Sequence, residues 1–350
     1  MDSKLYKFTR LEIVKHKAVK EKAMITRSEK RKSRQFTAEF FVVFVTAICF
    51  LIVLAESSFS GSAFGFSLAT AGDWGCGPDA TSTLTNILDK KPDLVLAIGD
   101  YSYETTAGCW LDLVKPISGT MHIGIGNHDV ISQALLYQYL KGFNLENPYY
   151  SFNYQNIHIL IIDTNTSLTQ GSAQYNFIKT DLENAAKDSS INWIIPVYHI
   201  PAYTTSSEEQ QEQNNTPTEV GIILPDTTIR DIYHPLFDSY GVDIVIQAHV
   251  HNYQRTYPIS YNNNDPSNPI ITSTNPNDYK DPKGPIFVIV GTAGKSHAMF
   301  EGTKPSYIAS QQDTDYGFLS MQVSDDGTTL TGTFYPNGGG IPLDQFTISK

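Results

Sequence analysis

The sequence predicts an α/β domain that ends in a set of antiparallel strands. Short apolar runs rich in Ile, Val and Leu alternate with amphipathic stretches, an alternation that is typical of βα units. No repeat with a period of about 20–50 residues is present, which argues against a solenoid or a propeller. The last apolar runs are joined by glycine-containing turns, which favours hairpins at the C-terminal end.

The apolar runs give the predicted strands in chain order. In the α/β part they are 66–72, 93–98, 121–125, 157–162, 191–197, 242–246 and 285–290. Amphipathic stretches between them predict helices at 80–90, 132–141, 172–187 and 229–240. The antiparallel strands are predicted at 317–323, 329–335 and 343–348. Two polar stretches, 204–228 and 260–284, are long enough to indicate lids or binding loops.

Charge divides the chain into two parts of opposite character. The formal net charge is −11 over 350 residues. Residues 1–35 contain 12 Lys and Arg against four acidic residues, a local charge of +8, so the rest of the chain carries −19. Because so acidic a body lacks the basic surface that neutralises many phosphates, the sequence argues against a nucleic-acid partner.

An apolar segment separates the basic part from the acidic part. Residues 40–55 contain no charged side chain, and the preceding Lys and Arg predict a cytoplasmic N-terminus with the body on the other side of a membrane. We therefore predict a basic head at 1–39, a signal peptide or single membrane anchor at 40–55, a linker at 56–66 and one domain at 67–350. A translation start at Met24 would leave a signal peptide of ordinary length.

Two cysteines lie outside the apolar segment. Cys76 and Cys109 belong to the acidic body, whereas the third cysteine lies within residues 40–55. If the body is exported, an oxidising compartment allows these two thiols to form a disulfide. Sequence spacing alone leaves both the paired and the free state open.

Polar side chains follow five of the predicted strands at the point where each strand ends. They are Asp73, Asp100 with Tyr103, Asn127 with His128 and Asp129, His199, and His249 with His251. Because ligands bind at the carboxyl ends of strands in open α/β sheets, we expect these side chains to converge. Oxygen and nitrogen donors without a thiolate suit Fe, Zn or Mn, and the set is large enough for two ions.

This series of motifs resembles the calcineurin-like metallophosphoesterases. Their purple acid phosphatase branch has five blocks, D, GDxxY, GNH(E/D), VxxH and GHxH, and Tyr103 and the Asp73-Trp74-Gly75 triplet select that branch. The resemblance runs from about Ser67 to the C-terminus. It implies a four-layer α/β/β/α sandwich of two mixed sheets, with a binuclear metal site at the carboxyl ends of the strands.

The resemblance also implies a role for each motif residue. Asp73, Tyr103 and His251 would bind Fe(III), and Asn127, His199 and His249 would bind a second metal, Fe, Zn or Mn, with Asp100 bridging the two. A metal-bound hydroxide would then attack small phosphate monoesters, with His128 binding phosphate or protonating the leaving group. Asp129 either orients His128 or caps a turn.

Three departures from the family pattern qualify these roles. Pro196 and Ala248 replace the usual Val and Gly, and residues 203–218 contain no histidine where many members have one. The leaving-group proton then comes from His128 alone or from Glu208, Glu209 or Glu212, and His297 is a further candidate to approach substrate. A phosphodiesterase or nucleotide hydrolase on the same centre, and a non-catalytic surface binding module, remain alternative functions, and the oligomeric state stays open.

Overall fold

The computed structural model describes residues 65–205, 227–300 and 302–350. The predicted head at 1–39 and the apolar segment at 40–55 lie outside these ranges, as do Glu208, Glu209 and Glu212. Within the described ranges, no helix is long and apolar enough to cross a membrane. The structure therefore concerns the predicted domain, and the N-terminal assignments stay predictions.

The described residues form strands and helices in an order close to the predicted one. The strands are β1 Phe66–Ala71, β2 Leu94–Ile98, β3 Met121–Gly124, β4 Tyr150–Tyr154, β5 Ile157–Ile161, β6 Trp193–Val197, β7 Ile244–Gln247, β8 Tyr253–Thr256, β9 Ile259–Ser260, β10 Ile270–Ile271, β11 Asp278–Lys280, β12 Ile286–Val290, β13 Ile308–Gln312, β14 Gly317–Val323, β15 Thr329–Pro336 and β16 Asp344–Ser349. The helices are α1 Pro78–Lys90, α2 Gly108–Val114, α3 Gln133–Gly142, α4 Ala173–Ala185 and α5 His234–Tyr240. Short 3₁₀ turns cover Lys115–Thr120 and Asn127–Val130, and a π-helical turn at Ile229–Tyr233 leads into α5.

Most of the strands belong to two mixed sheets. The first sheet has the order β11-β16-β15-β14-β1-β2-β3, and the second has the order β13-β8-β12-β7-β6-β5-β4. Strands β1, β2 and β3 run parallel in the first sheet, and β5, β6, β7 and β12 run parallel in the second. Antiparallel strands complete both sheets, so the predicted pair of mixed sheets is confirmed.

The sheets pack face to face, and helices cover their outer faces. Ile159 of β5 belongs to a hydrophobic cluster that joins both sheets, whereas the adjacent Leu160 packs with Leu182 of α4. Helix α1 contacts β14 on the outside of the first sheet. Strands buried on both faces are continuous apolar runs, which explains why β2, β5, β6 and β12 were visible in the sequence. The arrangement is the predicted four-layer sandwich.

Candidate metal centre

The parallel strands deliver the predicted site residues to one edge of the sandwich. Asp73, Asp100 and Asn127 follow β1, β2 and β3, the parallel strands of the first sheet, and His199 and His249 follow β6 and β7 of the second. His251 lies between β7 and β8. Because the carboxyl ends of the parallel strands in both sheets face the same way, side chains distant in sequence meet here.

Four of these residues have an unusual backbone conformation. The φ angles are 60° at Asp73, 55° at Asp100, 56° at Tyr103 and 69° at His249. A residue with a Cβ atom in the left-handed region costs about 1–2 kcal/mol relative to the right-handed one. Backbone hydrogen bonds hold these turns, including those from the Asp73 N–H to the Gly99 carbonyl at 3.1 Å and from the Trp74 N–H to the Asp100 carbonyl at 2.9 Å. Strain concentrated at candidate ligands indicates a functional site.

Asp73, Tyr103 and His251 form one half of the cluster. The Tyr103 hydroxyl donates to Asp73 Oδ1 at 3.1 Å and lies 3.0 Å from His251 Nε2. His251 Nδ1 lies 2.7 Å from the Ser296 carbonyl oxygen, to which only a protonated Nδ1 can donate. A neutral His251 therefore carries its free lone pair on Nε2, which points toward the aspartate and the tyrosine, as a metal-binding histidine requires.

Asp100, His199 and His249 form the core of the other half. Their ligand atoms all lie within 4.8 Å of one another, and all three residues are buried. His199 Nε2 is 3.3 Å from Asp100 Oδ2 and 3.9 Å from Asp73 Oδ1, so the two halves are contiguous. His199 Nδ1 lies 2.7 Å from the Ile98 carbonyl oxygen, which again directs Nε2 into the cluster.

An unsatisfied amide tests whether a metal ion suits this cluster. The Oδ1 atom of Asn127 is buried and has no hydrogen-bond partner among the described residues. His199 Nε2 does not meet hydrogen-bond geometry with any described residue, although it lies 3.3 Å from Asp100 Oδ2. Leaving a buried polar atom such as Asn127 Oδ1 unpaired costs about 1–3 kcal/mol, and coordination to a metal ion would remove that cost. The donor set therefore fits the predicted metals.

The charges of the cluster are unevenly balanced. Burial lowers the pKa of His199, but the Asp100 and Asp73 carboxylates outweigh burial and raise that pKa to about 10. Burial raises the pKa of Asp100, but His199 and the neighbouring histidines outweigh it and hold the pKa well below its usual range. Burial and the nearby His199 lower the pKa of His249 to about 3. In the protein alone, a proton on His199 thus balances charge that metal cations would otherwise balance.

Burial and the neighbouring carboxylates also act on the phenol of Tyr103. Burial first, and then the charges of Asp73 and Asp100, raise the pKa of Tyr103 well above its ordinary value of 10.0. The phenolate form therefore needs a strong positive charge close by. Fe(III) is such a charge, and a hard anionic oxygen is a ligand that it favours.

Two glycines allow the loops to approach closely. A Cβ atom on Gly126 would lie 2.1 Å from Asp100 Oδ1, and one on Gly99 would lie 2.4 Å from the Gly126 nitrogen. Gly99 also has a φ of 83°, a conformation that favours glycine. The glycines that precede Asp100 and Asn127 are therefore required by packing.

Asp129 holds the same two loops together. Its carboxylate accepts hydrogen bonds from the backbone N–H groups of Asp100 at 2.8 Å, Tyr101 at 3.0 Å and Gly126 at 2.9 Å. The bond to Gly126 caps the turn that carries Asn127, one of the two predicted roles. The bonds to the N–H groups of Asp100 and Tyr101 could not be predicted from the sequence, because they join positions that only the folded sheet brings together.

His128 lies at the rim of the cluster. Its backbone N–H donates to Asp100 Oδ1 at 2.8 Å, and its side chain is 29% exposed, which leaves the ring accessible to a ligand. The ring lies 4.6 Å from the Tyr103 ring. His297, the further candidate to approach substrate, stacks on Tyr316, with the two ring centres 4.0 Å apart.

A disulfide joins two of the loops that carry candidate ligands. Cys76 and Cys109 are bonded, 33 positions apart in the sequence and with their Cα atoms 6.0 Å apart. Cys76 lies just after Asp73, and Cys109 lies in α2, which follows the loop of Tyr103. Both cysteines are exposed, so the bond closes the outer side of the half-cluster formed by Asp73, Tyr103 and His251.

The sandwich and the clustered donors define a class of protein, the metal-dependent phosphoesterases with a centre at the strand ends. The sequence model of the family described as "Calcineurin-like phosphoesterase" matches residues 66–253, more than half of the chain. The chain therefore belongs to the calcineurin-like phosphoesterase family.

Several proteins similar to this chain are named purple acid phosphatases. "Purple acid phosphatase 18" of Arabidopsis thaliana is 28% identical over 254 residues, covering 67% of this chain and 51% of the relative. "Probable inactive purple acid phosphatase 1" of the same plant is 27% identical over 286 residues, covering 75% and 44%. The solved structure of purple acid phosphatase PPD1 from yellow lupin seeds (Lupinus luteus) matches with a TM-score of 0.65 at 24% identity, covering 82% of this chain and 54% of that one. The predicted resemblance is confirmed, and the chain spans about half the length of these relatives.

Proposed function

We propose that the chain is a binuclear-metal phosphatase that hydrolyses small phosphate monoesters. The observation that carries this proposal is the convergence of six oxygen and nitrogen donors from Asp73, Asp100, Tyr103, His199, His249 and His251. The buried amide oxygen of Asn127, two residues before Asp129 in the loop that Asp129 joins to Asp100, has no hydrogen-bond partner among the described residues. In this proposal Asp73, Tyr103 and His251 hold Fe(III), and Asn127, His199 and His249 hold Fe, Zn or Mn. Asp100, whose Oδ2 lies nearest to His199, bridges the two ions.

Bound metal ions would supply Lewis-acid activation of a water molecule and of the phosphate. The side chains of the protein supply the rest of the chemistry. His128 is exposed at the rim and bound through its backbone to Asp100, so its imidazole is placed to hydrogen-bond a phosphate oxygen or to protonate the leaving oxygen. Asp129 fixes the loops that carry Asp100 and Asn127, and this holds the donors in place before substrate arrives.

Metal content and visible absorption of the purified domain test the metal assignment. Fe(III) bound by a Tyr103 phenolate gives a charge-transfer band, so the loaded protein is expected to be coloured. The substitution Tyr103→Phe should remove the band, and Tyr137→Phe is the matched control because Tyr137 is 63% exposed. Colour that survives in Tyr103→Phe would refute the assignment of Tyr103.

The substrate class is tested with paired chromogenic esters. We expect hydrolysis of p-nitrophenyl phosphate and much slower hydrolysis of bis(p-nitrophenyl) phosphate. Faster hydrolysis of the diester would favour the phosphodiesterase alternative on the same centre. A protein that binds metal but hydrolyses neither ester would favour the non-catalytic alternative, which the name of one Arabidopsis relative also suggests.

We further propose that the domain is exported. The apolar segment 40–55 follows residues 1–35, whose charge is +8, and two exposed cysteines form a disulfide, a bond that persists mainly in oxidising compartments. N-terminal sequencing of the mature protein distinguishes the two forms of export. A first residue beyond 55 indicates cleavage, and an intact segment recovered with membranes indicates an anchor.

A further inference from the structure

A lysine lies beside the proposed iron ligands and has no role in the function proposed above. The Nζ atom of Lys295 is 4.1 Å from the centre of the Tyr103 ring. Among the residues that the structure describes, no carboxylate lies within ion-pairing distance of this ammonium. Lys295 therefore places a positive charge next to the metal centre of a strongly acidic body.

The segment that carries Lys295 is bonded directly to two candidate ligands. The N–H groups of Gly294 and Lys295 donate to the Asp73 carbonyl at 3.1 and 2.9 Å. On the other side, the Ser296 carbonyl oxygen lies 2.7 Å from His251 Nδ1. The backbone on both sides of Lys295 is thus held by hydrogen bonds, and this places the Lys295 side chain beside the centre.

The surroundings of Tyr103 suggest what the ammonium does. His128, the proposed phosphate-binding group, contacts the same ring, with the two ring centres 4.6 Å apart. A cation against an aromatic ring is stabilised by the ring electrons, and this attraction strengthens when the ring carries a phenolate. Lys295 and His128 thus both lie against the ring of one proposed ligand, Tyr103.

We propose that Lys295 is a substrate-binding residue that donates to a non-bridging oxygen of the phosphate. The inference rests on the proposed phosphatase function. It gives the acidic domain a fixed cation for phosphate in addition to the metals. It also offers a charged group near the site in a chain that has no histidine in residues 203–218.

The experiment compares full-length, metal-loaded protein with Lys295→Met, Lys295→Arg and a control, Lys187→Met. Lys187 lies beyond the end of α4 and pairs with the exposed Glu183, so its removal changes net charge equally without touching the site. The dissociation constant of inorganic phosphate is measured for each protein. Steady-state KM and kcat, metal content and the visible band are recorded in parallel.

We expect Lys295→Met to bind inorganic phosphate about 10- to 100-fold more weakly, the usual loss when a charged hydrogen bond is removed. KM should rise more than kcat falls, metal content should be unchanged, and the visible band should move to longer wavelength. Lys295→Arg should restore binding to within about threefold of the parent, and Lys187→Met should match the parent.

Two results overturn the inference. Phosphate binding in Lys295→Met within about twofold of the parent would show that the ammonium only packs on the ring. Loss of metal from Lys295→Met would show a structural role instead of a substrate-binding one. Failure of the parent protein itself to bind metal or phosphate is a separate outcome, because it refutes the proposed function before Lys295 is considered.

Discussion

Two buried polar clusters join the same two sheets and satisfy their charges differently. In the arginine cluster, formed by Tyr253, Arg255, Tyr279 and Asp344, the Arg255 guanidinium donates to both Asp344 oxygens, at 2.6 and 2.9 Å. Tyr253 donates to the same carboxylate at 2.7 Å, and Tyr279 accepts from Arg255 at 2.6 Å. Each charge in this cluster has its partner within the chain.

The metal centre does not balance itself in this way. Its carboxylates, Asp73 and Asp100, face His199, whose pKa is raised, and His249, whose pKa is lowered. The Asn127 amide oxygen has no partner among the described residues. Buried polar groups without partners lower the free energy of unfolding. A cluster of this kind is therefore expected where its groups bind a ligand or a metal ion. The arginine cluster holds the sheets together, whereas the metal centre is arranged to receive cations.

The largest expected effect separates catalysis from stability. Replacing Asp100→Asn removes the proposed bridging charge, and we expect kcat/KM to fall by at least about 1000-fold, or about 4 kcal/mol. The asparagine oxygen can still accept from the His128 N–H, so near pH 10, where His199 loses the proton that Asp100 balances, the metal-free protein should lose less than about 2 kcal/mol of stability. Steady-state kinetics and urea unfolding of the metal-free protein measure the two effects. A variant that unfolds before it loses activity would contradict the distinction.

The arginine cluster should show the reverse behaviour. Arg255→Met leaves the buried Asp344 without its cation, and we expect a loss of about 3–5 kcal/mol in the free energy of unfolding, with metal content unchanged. Adding Asp344→Leu should restore most of the stability. Lys283→Met is the control, because its pair with Asp281 is exposed and its loss should leave the stability almost unchanged. Loss of metal in a folded Arg255→Met variant would show that the two clusters are coupled.

Removal of the disulfide should affect both stability and one half of the metal centre. The double substitution Cys76→Ser and Cys109→Ser opens a loop spanning 33 residues, and the chain-entropy relation gives a loss of about 3–4 kcal/mol at most. Because Asp73 and Tyr103 lie on the linked loops, the half-cluster of Asp73, Tyr103 and His251, which is proposed to hold Fe(III), should also bind its metal more weakly than the half-cluster of Asp100, His199 and His249. Thermal unfolding and metal titration measure these changes. A reducing agent should affect the parent and leave the double variant unaltered.

The smallest effect, counted per pH unit, is expected from pH on the stability of the metal-free protein. The pKa of His199 is raised to about 10 from an ordinary 6.5, so its stabilising contribution is complete below about pH 6.5 and is lost as pH rises toward 10. The slope for this one proton is at most about 1.4 kcal/mol per pH unit. With metal bound, His199 coordinates without that proton, and denaturation curves between pH 6.5 and 10 should lose this slope. Equal slopes with and without metal would remove His199 from the centre.

Sequence patterns predicted the α/β order of strands and helices and the motif residues because both arise from local signals, whereas the two-sheet sandwich was implied by the family resemblance of those motifs. β2, β5 and β12 are unbroken apolar runs, and polar residues at strand ends mark the edge where ligands gather. The strands that the patterns missed, such as β8 and β13, carry polar side chains whose burial depends on a partner from elsewhere in the chain. Arg255 in β8 is buried only because Asp344, 89 residues away, pairs with it.

The same limit applies at the site. The glycine-containing loop 291–294 predicted that the nearby His297 approaches substrate, but it is Lys295 of the same segment that lies against the Tyr103 ring. Which side chain faces a ligand depends on the turn of the backbone, and that turn is set here by hydrogen bonds to Asp73 and His251. Likewise the pairing of Cys76 with Cys109 required the proximity that β1 and β2 create as neighbours.

The left-handed backbone at Asp73, Asp100, Tyr103 and His249 has an evolutionary consequence. Glycine at any of these positions would relieve strain, so random drift under selection for folding alone favours losing the ligand. A lineage that no longer needed its metals would be expected to change these codons early. Their presence together in one chain is what is expected while the site still binds metal, and the same four positions are where loss of the site would first be recognised.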